Sequence, residues 1–215
     1  MSNEFSGKRA LVTGGTKGIG AAVVSRLRDG GATVVTTARK ISVDLAHPEL
    51  FIEADVATAA GAADVGARAL KMLGGVDILV NVVGGSSAPA GGYAALVDAD
   101  WLGALDLNLF ASVRLDRAVL PGMIECGSGV IVHISSIQRR MPLYESTLAY
   151  AAAKAALTTY SKGLSNEVGP KGVRVVSVAP GWVETTASIA MVETLAAKAG
   201  TDYETAHRDL WPALH

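Results

Sequence analysis

The sequence predicts a single α/β domain, residues 1–215, in which a doubly wound parallel sheet forms the middle of three layers. Short runs rich in β-branched and aliphatic residues alternate along the chain with helix-length segments. The run Val130, Ile131 and Val132 is apolar on both sides, which is typical of strands covered by helices on both faces. Hydrophobic residues make up 50% of the chain and charged residues 18%, so the composition excludes a disordered chain.

Each element follows from a local pattern. Strands are predicted at 9–13, 33–37, 51–52, 76–81, 130–134 and 173–178, and the first helix is marked by Ile19, Val23, Val24 and Leu27. Two long helices are predicted at 98–125 and 149–169, and a last helical segment at 203–214. Residues 40–49 contain Pro48 and little helical pattern, so a short coil with at most one helical turn is predicted there instead of a crossover helix.

A glycine-rich loop joins the first strand to the first helix. Gly14, Gly18 and Gly20 precede an amphipathic segment, and this strand–loop–helix context predicts a site for a pyrophosphate at the helix N-terminus. The spacing differs from G-x-G-x-x-G, so a tight turn with a close helix contact is the alternative.

The end of the second strand predicts which dinucleotide binds. Ala38 stands where NAD-binding sites usually place a carboxylate, and Arg39 follows it. With Lys17 in the glycine loop, Arg39 can neutralise a 2′-phosphate. These residues predict a preference for NADP(H) over NAD(H), the alternative being two solvated surface charges.

A Tyr–Lys pair is the candidate reacting group. Tyr150 and Lys154 are four residues apart on a predicted helix, so they share one face, and a nearby cation favours the phenolate of a general acid or base. Ser136 follows the fifth strand, where ligands of open α/β sheets bind. Asn108 is a polar residue on an otherwise apolar helix, with a buried structural amide as the alternative interpretation. His133, with no set of metal ligands around it, is interpreted as a core or edge histidine with its hydrogen bonds satisfied.

Composition and charge exclude several kinds of site and of binding partner. Cys126 is the only cysteine, which excludes an internal disulfide and a multi-cysteine metal site. The net charge of −1 indicates neither a nucleic-acid nor a membrane partner. No apolar segment is long enough for a signal peptide or a membrane helix. We therefore expect a soluble, cytoplasmic protein without a metal site.

Together these motifs resemble the short-chain dehydrogenase/reductase family, in its smaller single-domain branch. The matching residues occur in the family's order over nearly the whole chain: Thr13, Gly14, Gly18, Ile19, Gly20, Asp55, Val56, Asn81, Val82, Val83, Gly84, Asn108, Ser136, Tyr150, Lys154, Pro180 and Gly181. The resemblance implies a Rossmann-type sheet and a nicotinamide cofactor. With the NADP(H) preference predicted from Arg39 and Lys17, we expect hydride transfer between NADP(H) and a small carbonyl or alcohol substrate. The alternative is a dinucleotide-sensing binding protein on the same fold, without turnover.

The resemblance also implies a role for each residue. Tyr150 would be the general acid/base, Lys154 would bind the nicotinamide ribose and lower the tyrosine pKa, Ser136 would polarise the substrate carbonyl, and Asn108 would hold a relay water. Cofactor-binding residues would be Gly14, Thr16, Lys17, Gly18, Ile19, Gly20, Arg39, Asp55, Val56, Asn81, Gly84, Tyr150, Lys154, Pro180, Gly181, Val183 and Thr185, with Asn81 chiefly structural.

The substrate walls are less defined by the sequence. Ser86, Gln138, Tyr144 and Trp182 are the candidate substrate-lining residues, and 186–201 is a candidate lid. By comparison with the family, the final strand and helix at the C-terminus are expected to be missing, and a truncated, inactive form is a third hypothesis. The two long helices are expected to form the surface of a homodimer or homotetramer.

Overall fold

The chain folds around a six-stranded parallel sheet of strand order β3-β2-β1-β4-β5-β6. The structure, a computed structural model, describes residues 3–42 and 45–210. The strands are β1 (Arg9–Thr13), β2 (Thr33–Ala38), β3 (Phe51–Glu53), β4 (Ile78–Asn81), β5 (Gly129–Ile134) and β6 (Val173–Val178). The predicted doubly wound α/β fold is confirmed. The fourth strand begins two residues later than predicted, after Asp77, which accepts a hydrogen bond from the backbone N–H of Arg9.

Helices cover the sheet on both faces. They are α1 (Gly18–Asp29), α2 (Ala59–Leu73), α3 (Asp98–Leu105), α4 (Ala111–Glu125), α5 (Leu148–Val168), α6 (Thr186–Ala199) and α7 (Tyr203–Leu210). Leu11 of β1 lies in a core with side chains of α2, α4 and α5. Its neighbours Ala10 and Val12 lie in a second core with Val24 and Leu27 of α1. Successive side chains of β1 therefore contact two different helix layers, because side chains along a strand point alternately to the two faces of the sheet.

The crossover between β2 and β3 carries only a single 3₁₀ turn, Pro48–Leu50, among its described residues. This agrees with the prediction of a short coil over 40–49, and Val43 and Asp44 lie outside the described residues. The predicted helix 203–214 is described only to Leu210. In the part of the chain that the structure describes, no strand follows β6.

One side of the sheet is partly open. Val176 and Val178 of β6 are 47% and 46% exposed. A cavity of about 880 Å³ lies between α1 and the strands β4 and β5, with a lining that includes Val23, Ile78 and Val130. It contains none of the predicted catalytic residues and is apolar in character, so we assign the reaction site elsewhere.

Chain order reverses at β1, which pairs with β2 on one side and with β4 on the other. In open α/β sheets, a crevice forms at this point outside the carboxyl ends of the strands. The glycine loop after β1, the loop after β4 and the loop after β6 all converge there, and this crevice positions the candidate site.

Candidate active site

The glycine loop has a shape that only glycine allows. Gly14 and Gly18 have φ of 66° and 54°, in the left-handed region. A Cβ on Gly20 would lie 2.1 Å from the carbonyl oxygen of Gly14. The loop therefore holds its backbone close to the start of α1, and the first N–H groups of that helix stay available to an anion.

The loop forms one wall of a cleft of about 290 Å³. Its lining includes eleven of the predicted cofactor residues: Gly14, Thr16, Lys17, Gly18, Ile19, Gly20, Arg39, Asp55, Val56, Gly84 and Thr185. The lining combines glycine backbone with the cations Lys17 and Arg39, which suits the phosphates of a dinucleotide. The residues present therefore fit a nicotinamide dinucleotide.

The other predicted cofactor residues lie outside this lining. Asn81 is buried and its amide donates to Asp116 Oδ1 at 2.9 Å, which fits a structural role and not cofactor contact. Val183 lines the larger cavity instead. Pro180 and Gly181 follow β6, where the Pro180 carbonyl accepts a hydrogen bond from the backbone N–H of Ile137. This bond ties the loop after β6 to the loop that carries Ser136.

Thr13 is a structural residue of the site for which the sequence predicted no role. Its buried hydroxyl oxygen accepts hydrogen bonds from the backbone N–H groups of Val82 and Val83, at 2.9 and 3.0 Å. It thus joins the carboxyl end of β1 to the loop after β4, which forms the floor of the cleft. A polar residue at the last position of a buried strand is the signal that could have identified it.

The predicted long helix 98–125 is interrupted at Asn108. Residues Asp106–Phe110 form one π-helical turn between α3 and α4, a feature that is frequent at functional sites. Asn108 is 1% exposed; its amide nitrogen donates to the carbonyls of Gly85 and Ala104, and its oxygen accepts from the Gly85 N–H. Both amide hydrogens are used, and one lone pair of Oδ1 is left for a further donor.

The structure brings Ser136, Tyr150 and Lys154 together at the carboxyl end of β5. Ser136 is buried and begins a 3₁₀ turn, where its hydroxyl accepts from the Gln138 N–H at 3.2 Å. Lys154 is 2% exposed and donates from Nζ to the Ile134 carbonyl at 2.8 Å. Its Nζ lies 5.8 Å from the centre of the Tyr150 ring. Lys154 and Asn108 also face the same point, since a Cβ on Gly84 would lie 2.7 Å from Lys154 Nζ and 2.8 Å from Asn108 Oδ1.

Burial dominates the electrostatics of this pair. It raises the pKa of the Tyr150 phenol above its ordinary value, while the hydrogen bond with Ser136 acts in the opposite direction. Burial also lowers the pKa of Lys154 from 10.5 to about 8. The lowering of the tyrosine pKa by Lys154 that the resemblance implies is therefore not produced by these protein groups alone.

The four candidate substrate residues have different surroundings. Ser86 and Tyr144 are exposed, and Gln138 accepts a hydrogen bond from the Thr147 hydroxyl. Trp182 packs against α6 and α7, with its ring 5.2 Å from that of His207. The tryptophan thus joins the small apolar cluster under the candidate lid 186–201 instead of the cofactor cleft.

Neither a metal-binding cluster nor a membrane-crossing helix is found among the residues that the structure describes. Within 3–42 and 45–210, no group of three or more His, Cys, Asp or Glu side chains is arranged to hold a metal ion. Over the same residues, no helix has the length and apolar character needed to cross a membrane. His133 is fully buried with Nε2 2.9 Å from Asp116 Oδ2, which confirms its core position, while its Nδ1 has no hydrogen-bond partner within the described residues.

The fold and the cleft define the chain as an α/β protein of the dinucleotide-binding class. The family model of the short chain dehydrogenases matches residues 8–196. The chain therefore belongs to the short-chain dehydrogenase family, whose members transfer hydride with a nicotinamide cofactor.

Particular relatives share much of the chain. It is 35% identical over 187 residues to the 3-oxoacyl-(acyl-carrier-protein) reductase FabG of Vibrio harveyi, covering 84% of this chain and 75% of the relative. It is 32% identical over 200 residues to a dehydrogenase/reductase SDR family protein 7-like of Drosophila melanogaster, covering 87% of this chain but only 60% of that protein.

A solved structure is also similar to this chain over most of its length. The L-sorbose reductase of Gluconobacter frateurii, solved with NADPH and L-sorbose, superimposes with a TM-score of 0.86 at 33% identity. The match covers 95% of this chain and 81% of the reductase.

Proposed function

We propose that this protein is an NADP(H)-preferring oxidoreductase that interconverts a small carbonyl compound and its alcohol. The observation that carries the proposal is the convergence of Ser136, Tyr150 and Lys154 at the end of β5, with Asn108 facing Lys154 beside Gly84. A binding protein without turnover has no need of a buried lysine next to a tyrosine, because burying the cation costs stability. The NADPH and L-sorbose of the structural relative support the same chemistry.

Each side chain has one task in this reaction. A nicotinamide dinucleotide held by the cleft residues would supply or accept the hydride. In reduction, the Ser136 hydroxyl donates a hydrogen bond to the substrate carbonyl, and the Tyr150 phenol delivers its proton to the developing alkoxide oxygen. Lys154 holds the ribose hydroxyls and stabilises the phenolate that remains. The free lone pair of Asn108 Oδ1 holds a water that returns a proton toward Lys154 and Tyr150.

Turnover tests the proposal directly. NADPH oxidation at 340 nm is followed with a 3-oxoester, a ketose such as L-sorbose, an aromatic aldehyde and a quinone, and NADPH binding is measured by fluorescence. We expect binding and oxidation with at least one carbonyl class. Tight binding of NADPH without turnover on any of the four would favour the dinucleotide-sensing alternative.

Arg39 is expected to set the cofactor preference. It lies in the cleft next to Ala38, and a charge-assisted hydrogen bond to a 2′-phosphate is worth about 1.5–3 kcal/mol. Arg39→Ala should therefore weaken NADPH binding about 10- to 100-fold and leave NADH binding within about twofold. Lys40→Ala, which removes an exposed cation outside the cleft lining, is the matched control. Equal losses for both cofactors in direct titrations would contradict the preference.

We also infer that the protein forms a homodimer or homotetramer through the helices of 98–125 and 148–168. Leu102 of α3 is 61% exposed and Phe110 of the π turn 40% exposed, so this surface presents large apolar side chains to a second copy. Light scattering should give a dimer or tetramer mass, and Leu102→Glu should lower it. Met72→Glu, at an exposed site on α2, should not change the mass. A monomer mass for the wild-type protein at working concentration would contradict the inference.

A further inference from the structure

Asp116 is a buried carboxylate where four elements of the fold meet. It lies on α4 with no exposed surface. Its Oδ1 accepts a hydrogen bond from Asn81 of β4, and its Oδ2 accepts one from the Tyr160 hydroxyl of α5, each at 2.9 Å. Nε2 of His133 on β5 lies 2.9 Å from the same Oδ2. A charge that is removed from water is tolerated only with such partners, so the four side chains are held together as one unit.

The partners of Asp116 cannot readily bond elsewhere. Asn81 and His133 face each other across the β4–β5 pairing, so they lie side by side on the sheet. Asn81 Oδ1 and His133 Nδ1 have no hydrogen-bond partner within the described residues. The contact with Asp116 is therefore what orients both side chains, and it ties the carboxyl ends of both strands to α4 and α5.

Further hydrogen bonds join β5 to α5 toward the active site. The Ser135 hydroxyl donates to the Lys154 carbonyl at 3.1 Å and lies 2.8 Å from the Thr158 hydroxyl. Lys154 Nζ donates to the Ile134 carbonyl. With Tyr160 and Asp116, these bonds form a series of polar contacts along α5, which we call the α5 ladder.

Apolar packing alone defines the position of this part of α5 poorly. The buried apolar side chains closest to Tyr150 in sequence are Ala149, Ala151 and Ala153, and the first large one after it is Leu157. Methyl groups interlock little with neighbouring elements, so shape complementarity in the first turns of α5 resists a small axial shift only weakly. Hydrogen bonds have a narrow range of distances, so the α5 ladder supplies the register that the alanines do not.

From this geometry we infer that Asp116 is a positioning residue for the Tyr150–Lys154 pair, acting through Tyr160 and α5. The inference rests on the proposed function, in which Tyr150 delivers the proton. A helix moves as a rigid rod, and Tyr160 lies about 15 Å along it from Tyr150. A shift of about 1 Å at the reacting atoms can cost about 100-fold in rate, so even a partial loss of register affects turnover.

The primary test removes only the Tyr160 hydroxyl. We expect Tyr160→Phe to lower kcat about 10-fold with the most active carbonyl of the panel and to raise the solvent deuterium isotope effect on kcat, because proton delivery becomes slower. The NADPH Kd should change much less than kcat, since α5 contributes none of the eleven cofactor residues that line the cleft and would contact the cofactor only through Tyr150 and Lys154. Asp116→Asn, which keeps the side-chain shape but replaces the carboxylate, should have a larger effect in the same direction.

Leu164→Ala is the matched control on the same helix. Leu164 is buried in the core but makes no polar contact, so its truncation should lower Tm at least as much as Tyr160→Phe does. At a temperature well below Tm, its kcat and isotope effect should equal those of the wild type. If Tyr160→Phe and Leu164→Ala have the same kcat and isotope effect, Asp116 and Tyr160 serve stability only and the inference is wrong.

Tyr150→Phe, measured in parallel, separates this failure from that of the proposed function. An inactive Tyr150→Phe together with a fully active Tyr160→Phe overturns only the positioning role. A fully active Tyr150→Phe overturns the proposed function, and the positioning inference with it.

Discussion

Tyr150→Phe is expected to lower kcat about 10²- to 10⁴-fold while NADPH binding stays within about twofold of the wild type. The variant keeps the ring, which is half-buried beside Lys154, and removes only the hydroxyl that carries the proton. Water must then protonate the alkoxide without a positioned donor. Steady-state NADPH oxidation with the most active carbonyl gives kcat, and fluorescence titration gives the Kd.

Tyr93→Phe is the matched control for this substitution. Tyr93 is 84% exposed on the connection that precedes α3, so the same chemical change there removes no buried hydrogen bond. We expect its kcat to stay within about threefold of the wild type. Equal activities for Tyr150→Phe and the wild type on every substrate would contradict the assigned role of the phenol.

Lys154→Met is expected to abolish turnover and yet to stabilise the protein at pH 7. Burial lowers the native pKa of Lys154 from 10.5 to about 8. The unfolded chain therefore binds the proton of the Lys154 ammonium group more tightly than the native protein does. The resulting loss of folding free energy is complete below pH 8 and vanishes as the pH rises past 10.5. At pH 7 this cost is about 3 kcal/mol, against about 1 kcal/mol for the lost hydrogen bond to the Ile134 carbonyl.

Denaturant unfolding at two pH values isolates the titration of Lys154. Between pH 7 and pH 9.5, the stability of the wild type relative to Lys154→Met should rise by about 2 kcal/mol, because other titrating groups are common to both proteins. Lys162→Met changes an exposed lysine on the same helix and should show no such pH dependence relative to the wild type. If the free energies of unfolding of the wild type and Lys154→Met differ by the same amount at both pH values, the buried ammonium group does not destabilise the protein as expected.

Much of the fold could be predicted because its signals are local. The strands are runs of branched aliphatic residues, and the alternation of strands and helices leaves few arrangements other than a parallel sheet. The strand 173–178 has the predicted bounds, and the short crossover before β3 follows from Pro48 and the absence of a helical pattern. The long helix 98–125 was predicted as continuous, because a π turn depends on the contacts of Asn108 with Gly85 and leaves no mark in the periodicity.

In the candidate site, too, features with local sequence signals could be predicted and features that depend on distant segments could not. The glycine loop was predicted as a phosphate site because its glycines stand between a strand and a helix. The structure shows why residue 20 is glycine, since a Cβ there would lie 2.1 Å from the Gly14 carbonyl oxygen. Trp182 stays a predicted substrate-lining residue, and only the structure shows that its ring packs against α6 and α7. Four residues after a strand end, the direction of a side chain depends on the elements that follow, and these are not encoded within its own segment.

By itself, the sequence determined the order of the strands and helices and the position of the cleft at the carboxyl ends of the strands. It also identified the four candidate catalytic residues. Each of these depends on patterns over a few neighbouring residues. Only the tertiary structure decided that Lys154 is buried against the Ile134 carbonyl and that Asp116 joins Asn81, His133 and Tyr160. Asp116 and its three partners are spread over residues 81 to 160 and come from two strands and two helices. The physical reason is that burial and the hydrogen bonds that offset it depend on which distant segments meet, and the meeting is settled only when the helices pack on the sheet.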